Sequence, residues 1–85
     1  MNLQLILAGP YEACNKTGDI WKQSCEAYQL ELEILDLESE TGQSLEKELN
    51  IKSFPALIAD KQVVAVGHPD KDSALLLISQ LIKRQ

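Results

Sequence analysis

Apolar and polar positions change their spacing along the chain, and the changes predict four strands. Residues 2–8 are largely apolar on both faces, which is typical of a strand inside a sheet. Residues 30–37 begin with an apolar residue at every second position and predict a half-exposed strand. Residues 54–59 and 62–67 predict two more strands, paired as a hairpin through a tight turn at 60–61.

Apolar residues at spacings of three and four predict a first helix that ends near Tyr28. Its apolar face comprises Thr17, Ile20, Trp21, Ser24, Cys25 and Tyr28. Its start is open. Glu12 is one candidate, but Gly18 is unfavourable in a helix interior, and Thr17 or Asp19 could each be the N-cap of a shorter helix.

Two more helices follow. Residues 38–43 read as a polar loop, and residues 44–51 predict a short helix with Asn50 at its C-terminus. The last helix is predicted over 68–85, with Pro69 and Asp70 in its first turn. Its buried face is predicted to comprise Ala74, Leu77, Ile78, Leu81 and Ile82.

The resulting order is β-α-β-α-β-β-α, and 85 residues are enough for one domain over residues 1–85. A parallel β-α-β unit followed by an antiparallel hairpin predicts an α/β fold with a mixed four-stranded sheet. Right-handed crossovers would place helices on both faces of this sheet.

Charge and composition exclude several function classes. The net charge of −5 argues against nucleic acid and against a polybasic membrane contact. The longest apolar runs, at 5–8 and 74–78, are too short to cross a bilayer. The N-terminal residues lack a basic segment typical of a signal peptide, so the expected compartment is the cytoplasm.

The two cysteines, Cys14 and Cys25, do not form a C-x-x-C motif, and the sequence has one histidine, His68. These residues predict neither a metal site nor a cofactor. Cys25 lies on the apolar face of the first helix, where a cysteine acts as a small hydrophobic residue. Trp21 is predicted to be core, and His68 to be an exposed loop residue.

The element order and three local features resemble the thioredoxin-like superfamily. Residues 35–59, LDLESETGQSLEKELNIKSFPALIA, are similar to the segment of thioredoxins that leads to the cis-proline strand, with Pro55 at the cis-proline position. In the hairpin DKQVVAVGHPD, Gly67 stands where the family has a glycine. The junction at 9–14 stands where the family has its redox motif. The resemblance covers essentially the whole chain.

The resemblance implies a site at the junction of the first strand and the first helix. Cys14 matches the second cysteine of the family motif, and Tyr11 stands where the attacking first cysteine would be. Pro10, Tyr11, Phe54 and Pro55 would border a groove for a partner. The resemblance also implies a cis bond at Phe54–Pro55 that faces residues 11–14.

Two functions follow as hypotheses. In the first, Cys14 carries out one-cysteine thiol–disulfide exchange, or carries sulfur or glutathione, and reacts with a protein partner or a thiol-containing substrate. Backbone N–H groups at a helix start stabilise a thiolate, and this support is largely lost if the helix begins after Thr17. In the second, the chain is a non-catalytic module that binds a protein in the groove beside Pro55.

Overall fold

The computed structural model describes residues 2–8 and 12–83, with the side chains of 12–14 outside that description. In chain order the elements are β1 (Leu3–Leu7), α1 (Glu12–Ala27), β2 (Leu32–Asp36), α2 (Glu40–Leu49), β3 (Ala56–Ala59), β4 (Gln62–Val66) and α3 (Lys71–Lys83). This order is the predicted one. Among the described residues, no helix combines the length and the hydrophobicity that crossing a membrane requires.

The four strands form one mixed sheet in the order β2-β1-β3-β4. The β1–β2 pair is parallel, and β3 is antiparallel to both β1 and β4. The prediction of a mixed four-stranded α/β sheet is therefore confirmed. Strand β1 lies in the interior because both its faces are apolar, whereas the edge strands β2 and β4 leave Ile34 and Val66 exposed.

Helices cover both faces of the sheet, as predicted. Helices α1 and α3 pack together on one face, over a core formed by Leu3, Leu5, Trp21, Cys25, Leu57, Ala59, Ala74, Ile78 and Leu81. Helix α2 packs on the other face, over Ile6, Leu45, Ile51, Ala56 and Ile58. Successive residues of β1 and β3 enter opposite cores because strand side chains alternate between faces.

The β3–β4 hairpin has the predicted tight turn. Asp60 and Lys61 both have positive φ angles, 49° and 68°, which is the backbone that a two-residue hairpin loop of type I′ requires. Asp60 also exchanges two hydrogen bonds with Asn2, so the turn is tied to the residue that precedes β1. The pairing of β3 with β4 shifts register between Leu57 and Ile58.

Helix α2 begins at Glu40, earlier than predicted, so the assignment of residues 40–43 to the polar loop is wrong. Ser39 is the N-cap, and its hydroxyl accepts a hydrogen bond from the Gly42 N–H at 3.0 Å. The same hydroxyl donates to the Asp36 carbonyl at 2.6 Å, which ties the cap to the end of β2. At the other end Asn50 is the left-handed C-cap, as its position predicted.

Two other helix ends differ from the prediction. Helix α1 ends at Ala27, and Tyr28 beyond it is 41% exposed, so Tyr28 is not part of the buried face. Helix α3 begins at Lys71, so Pro69 and Asp70 precede it and do not form its first turn. The Asp70 carboxylate accepts a hydrogen bond from the Ser73 N–H at 2.7 Å, as a helix cap does.

Candidate functional site

Two parts of the predicted site, Pro55 and the first turn of α1, are related by the described residues to the end of the sheet where β1 finishes. Ile6 pairs with Ala56 in antiparallel register, so Pro55, the residue before β3, lies beyond Ile6 toward the end of β1. Gly18, in the second turn of α1, lies close to Leu7, the last residue of β1. The first turn of α1 and Pro55 therefore lie at the same end of the sheet.

The Phe54–Pro55 segment is anchored by the core. The peptide bond between these residues is cis, and the Pro55 side chain is fully buried. The Pro55 carbonyl accepts a hydrogen bond from the Gly67 N–H at 2.8 Å. Phe54 is half-buried and packs against the core under α2, so part of its side chain stays accessible beside Pro55.

The bounds of α1 decide where the first helix begins relative to Cys14. The helix is continuous from Glu12 to Ala27, so Cys14 lies in its first turn, and the alternative starts at Thr17 and Asp19 are wrong. Gly18 is inside the helix and buried, close to Leu7 and Ile34. Core packing along this face outweighs the helix-propensity cost of one glycine, about 1 kcal/mol.

Three of the predicted site positions fall wholly or partly outside the described residues. Pro10 and Tyr11 lie outside the described residues, and so does the side chain of Cys14. The described residues around these positions are the end of β1, the backbone of the first turn of α1 and the Phe54–Pro55 segment.

Cys25 is confirmed as a core residue. Its side chain is fully buried beside Trp21, and its thiol is free. Burial, followed by the neighbouring Glu26 carboxylate, raises the pKa of the Cys25 thiol from 9.0 to about 11, so it stays protonated at neutral pH. Eleven residues of continuous helix separate it from Cys14, a rise of about 16 Å, and a disulfide needs Cα atoms within about 7 Å. Cys25 therefore cannot be a resolving cysteine for Cys14.

One contact at this end of the sheet was not predicted. The Thr17 hydroxyl oxygen lies 2.5 Å from His68 Nδ1, which joins α1 to the turn between β4 and α3. His68 is exposed, as predicted, but it is not an unattached loop residue. The sequence carried a signal for this contact. Thr17 is a polar residue on a buried helix face, and a buried hydroxyl needs a hydrogen-bond partner.

Two surface depressions lined by described residues lie away from this end of the sheet. One, of about 430 Å³, is lined by residues at the N-terminal ends of β1 and β2, including Gln4, Glu31 and Glu33. A second, of about 350 Å³, lies between α1 and the start of β2 and is lined by Lys22 and Glu26 among others. Because β1 and β2 are parallel, the first depression is at the end of the sheet opposite Pro55.

The sheet order, the helices on both faces and the proline before β3 define a thioredoxin-like fold. A solution structure of the oxidised thioredoxin from Plasmodium falciparum superposes on this chain with a TM-score of 0.56 and 22% identity, over 98% of this chain and 80% of that one. A structure described as that of a malarial protein superposes with a TM-score of 0.63 and 18% identity, over 92% of each chain.

These likenesses show the fold and nothing finer, because the sequence identities are low. No family model matches the sequence, and no curated protein matches it. A thioredoxin-like fold is compatible with thiol chemistry, but one fold serves many functions, so the function has to be argued from the site.

Proposed function

We propose that this chain is a one-cysteine thiol–disulfide exchange protein in which Cys14 is the reacting group. The observation that carries the proposal is the start of α1 at Glu12, which puts Cys14 in the first helical turn. The N–H groups of a first turn have no partner within the helix, and with the helix dipole they favour a negative charge. A cysteine in such a position is more easily deprotonated than a free cysteine, and the thiolate is the reactive form.

The reaction conserves atoms and electrons at each step. The Cys14 thiolate attacks one sulfur of a disulfide in a partner protein, and the partner's second sulfur leaves as a thiolate. A mixed disulfide between Cys14 and the partner results. A thiol of a second molecule then attacks the Cys14 sulfur and releases Cys14 as a thiolate. The second molecule is required because the sequence has no C-x-x-C motif and Cys25 is too distant along α1. With oxidised glutathione as the disulfide, the same first step leaves one glutathione on Cys14 and releases the other as a thiolate; a persulfide donor would pass its outer sulfur to the Cys14 thiolate and leave as a thiolate.

The pH dependence of Cys14 alkylation tests this proposal. The protein is treated with iodoacetamide over a range of pH, and each cysteine is quantified in its own peptide by mass spectrometry. We expect Cys14 to react with a midpoint well below that of a free thiol, near 8.5. Cys25 is the internal control and should react slowly, because it is buried and its pKa is raised to about 11. A Cys14 midpoint at or above the free-thiol value would contradict the proposal.

A second assay follows the covalent product. Incubation with oxidised glutathione should add one glutathione per chain, and Cys14→Ser should abolish the addition. Cys25→Ala serves as the matched control and should leave the addition intact, because Cys25 is enclosed in the core. Equal modification of the parent and of Cys14→Ser would show that the reacting group lies elsewhere.

The alternative is a non-catalytic module that binds a protein partner beside Pro55. The half-buried Phe54, next to Pro55, favours this reading because a partly accessible aromatic side chain is a common anchor in protein interfaces. Capture of a partner would then persist in Cys14→Ser, resist reductant and fall in Phe54→Ala. Capture that depends on the thiol and is reversed by reductant supports exchange chemistry instead.

A further inference from the structure

Strand β2 is an edge of the sheet, and one row of its backbone groups faces away from the other strands. The Leu37 N–H donates to the carbonyl of the last residue of β1 at 2.8 Å, so residue 37 faces β1. Backbone groups alternate in direction along a strand, so the N–H and C=O groups of Leu32 and Ile34 face away. The Asp36 carbonyl, in the same row, is taken by the Ser39 N–H and hydroxyl. Within the described part of the chain, no strand pairs with Leu32 and Ile34 on this side.

The β2 edge is regular enough to accept another strand. Its five residues pair with β1 in an unbroken parallel register. The opposite edge, β4, has a register shift against β3, and such a bulge bends an edge strand and disrupts further pairing. An extended segment that adds to this sheet is therefore expected at β2, where Leu32 and Ile34 each offer one donor and one acceptor.

The two faces of β2 offer different chemistry. Ile34 lies on the α1 face, near Gly18, and is 43% exposed. Glu33 lies on the opposite face, where its Oε1 accepts a hydrogen bond from the Gln4 side-chain amide at 3.0 Å. Glu33 and the exposed Glu31 also line the depression of about 430 Å³. A segment bound along β2 would meet an apolar side chain on one face and carboxylates on the other.

The charge around this edge selects the occupant. Between Lys22 and Lys47 the sequence has seven acidic residues and no basic residue, whereas the rest of the chain has all eight basic residues and six acidic ones. A second copy is disfavoured. The antiparallel pairing that joins Leu32 to Ile34 of the copy places the two Glu33 side chains directly opposite each other, and like charges in that position are destabilising. A basic segment is attracted by the same carboxylates.

We propose that the edge of β2 binds an extended segment of a partner protein in which apolar and basic residues alternate. The segment pairs with β2 through its backbone, covers Ile34 with apolar side chains and brings Lys or Arg side chains to Glu31 and Glu33. The alternation follows from the period of two in a strand, which puts successive side chains on opposite faces. This surface uses none of the residues of the candidate site, so the inference does not depend on the proposed function.

Hydrogen exchange measured by NMR tests the inference with a synthetic peptide of alternating valine and lysine, blocked at both ends. At saturating peptide we expect amide exchange at Leu32 and Ile34 to slow by about tenfold or more, because these N–H groups gain a hydrogen-bond partner. The amides of Glu33 and Leu35, which face β1, are the internal controls and should change less. A peptide with glutamate in place of lysine should not bind.

The double variant Glu31→Gln/Glu33→Gln tests the charge. An exposed ion pair contributes a factor of about two to five in affinity, so the two together should weaken peptide binding about tenfold. The matched control is Glu48→Gln/Asp72→Asn, which changes the net charge equally at two exposed positions on α2 and α3. Its affinity for the peptide should stay within about twofold of that of the parent.

Slowed exchange at Leu32 and Ile34, with affinity lost in the Glu31/Glu33 variant and kept in the control variant, supports the inference. Absence of binding, binding without slowed exchange at these two amides, or an equal loss of affinity in the control variant overturns it. If both amides of the protein alone become protected as its concentration rises, a second copy occupies the edge and the inference is wrong. None of these results bears on the alkylation of Cys14, which judges the proposed function separately.

Discussion

The two helical glycines allow a test in which the same chemical change has opposite expected effects. Gly18 lies inside α1 and Gly42 lies in the first turn of α2. A Cβ at position 18 would be 3.6 Å from Leu7 Cδ1, an ordinary van der Waals contact. A Cβ at position 42 would be 2.2 Å from the Asp36 carbonyl oxygen and 3.1 Å from Ser39 Oγ. Alanine therefore fits at the first position and collides with backbone at the second.

The magnitudes follow from these contacts. In Gly42→Ala the first turn of α2 has to move by roughly 1 Å from the end of β2. That displacement strains the Ser39 cap, worth about 1 kcal/mol, and overpacks the site at a cost of about 1–3 kcal/mol. The better helix propensity of alanine returns about 1 kcal/mol. We expect a net loss of about 2 kcal/mol. Gly18→Ala keeps the propensity gain without a collision and should stabilise by up to about 1 kcal/mol.

Thermal unfolding and urea unfolding, both followed by far-ultraviolet circular dichroism, compare the two variants with the parent. For a domain of this size each kcal/mol moves Tm by about 4–8 °C, so Gly42→Ala should melt about 10 °C below the parent. The m-value should stay constant, because the surface exposed on unfolding is nearly unchanged. If Gly42→Ala proves as stable as Gly18→Ala, the packing of α2 against the end of β2 is not as described.

Three further predictions concern the core and two ionisable groups. Ile78→Ala should cost about 2–5 kcal/mol because the side chain is fully buried, whereas Leu76→Ala, 60% exposed, should lie within about 0.5 kcal/mol of the parent; comparable losses would contradict the placement of α3. Because burial raises the Cys25 pKa from 9.0 to about 11, folding stability that depends on the protonated thiol should be lost as pH rises through that range. Cys25→Ala should not lose stability over this pH range. Parallel profiles of stability against pH for the parent and Cys25→Ala would refute the prediction. The Ser73 N–H lowers the Asp70 pKa from 3.8, so the Tm difference between the parent and Asp70→Ala should be constant above that pH and shrink below it; a difference independent of pH would exclude a charged cap.

The spacing of apolar residues along the chain was sufficient to predict the order of strands and helices. Alternation with a period of two and apolar residues at intervals of three and four depend only on the geometry of a strand or a helix, so they can be read before any tertiary contact is known. The apolar character of residues 3–7 on both faces predicted the interior position of β1. The positions of Asp60–Lys61 and Asn50, whose positive φ angles end a strand and a helix, were also readable from local pattern.

The start of α2 was not readable in this way. Residues 38–43 are polar, and Gly42 disfavours a helix, so the local pattern indicated a loop. The structure places Ser39 within hydrogen-bonding distance of the Asp36 carbonyl and packs the bare Cα of Gly42 against the same group. The helix begins where it does because of this contact with the end of β2, which is a property of the folded chain.

Part of the candidate site was likewise predictable from the sequence, and part was not. The sequence by itself determined that Cys14 follows a buried strand, that Pro55 precedes another and that no second cysteine is suitably spaced, because these are facts of order and spacing. Only the tertiary structure decided that α1 runs unbroken from Glu12 and that His68 bonds to Thr17, 51 residues away. Helix starts and long-range hydrogen bonds depend on which groups the packed core brings together and on which buried polar atoms must be satisfied, and neither is encoded in the neighbours of one residue along the chain.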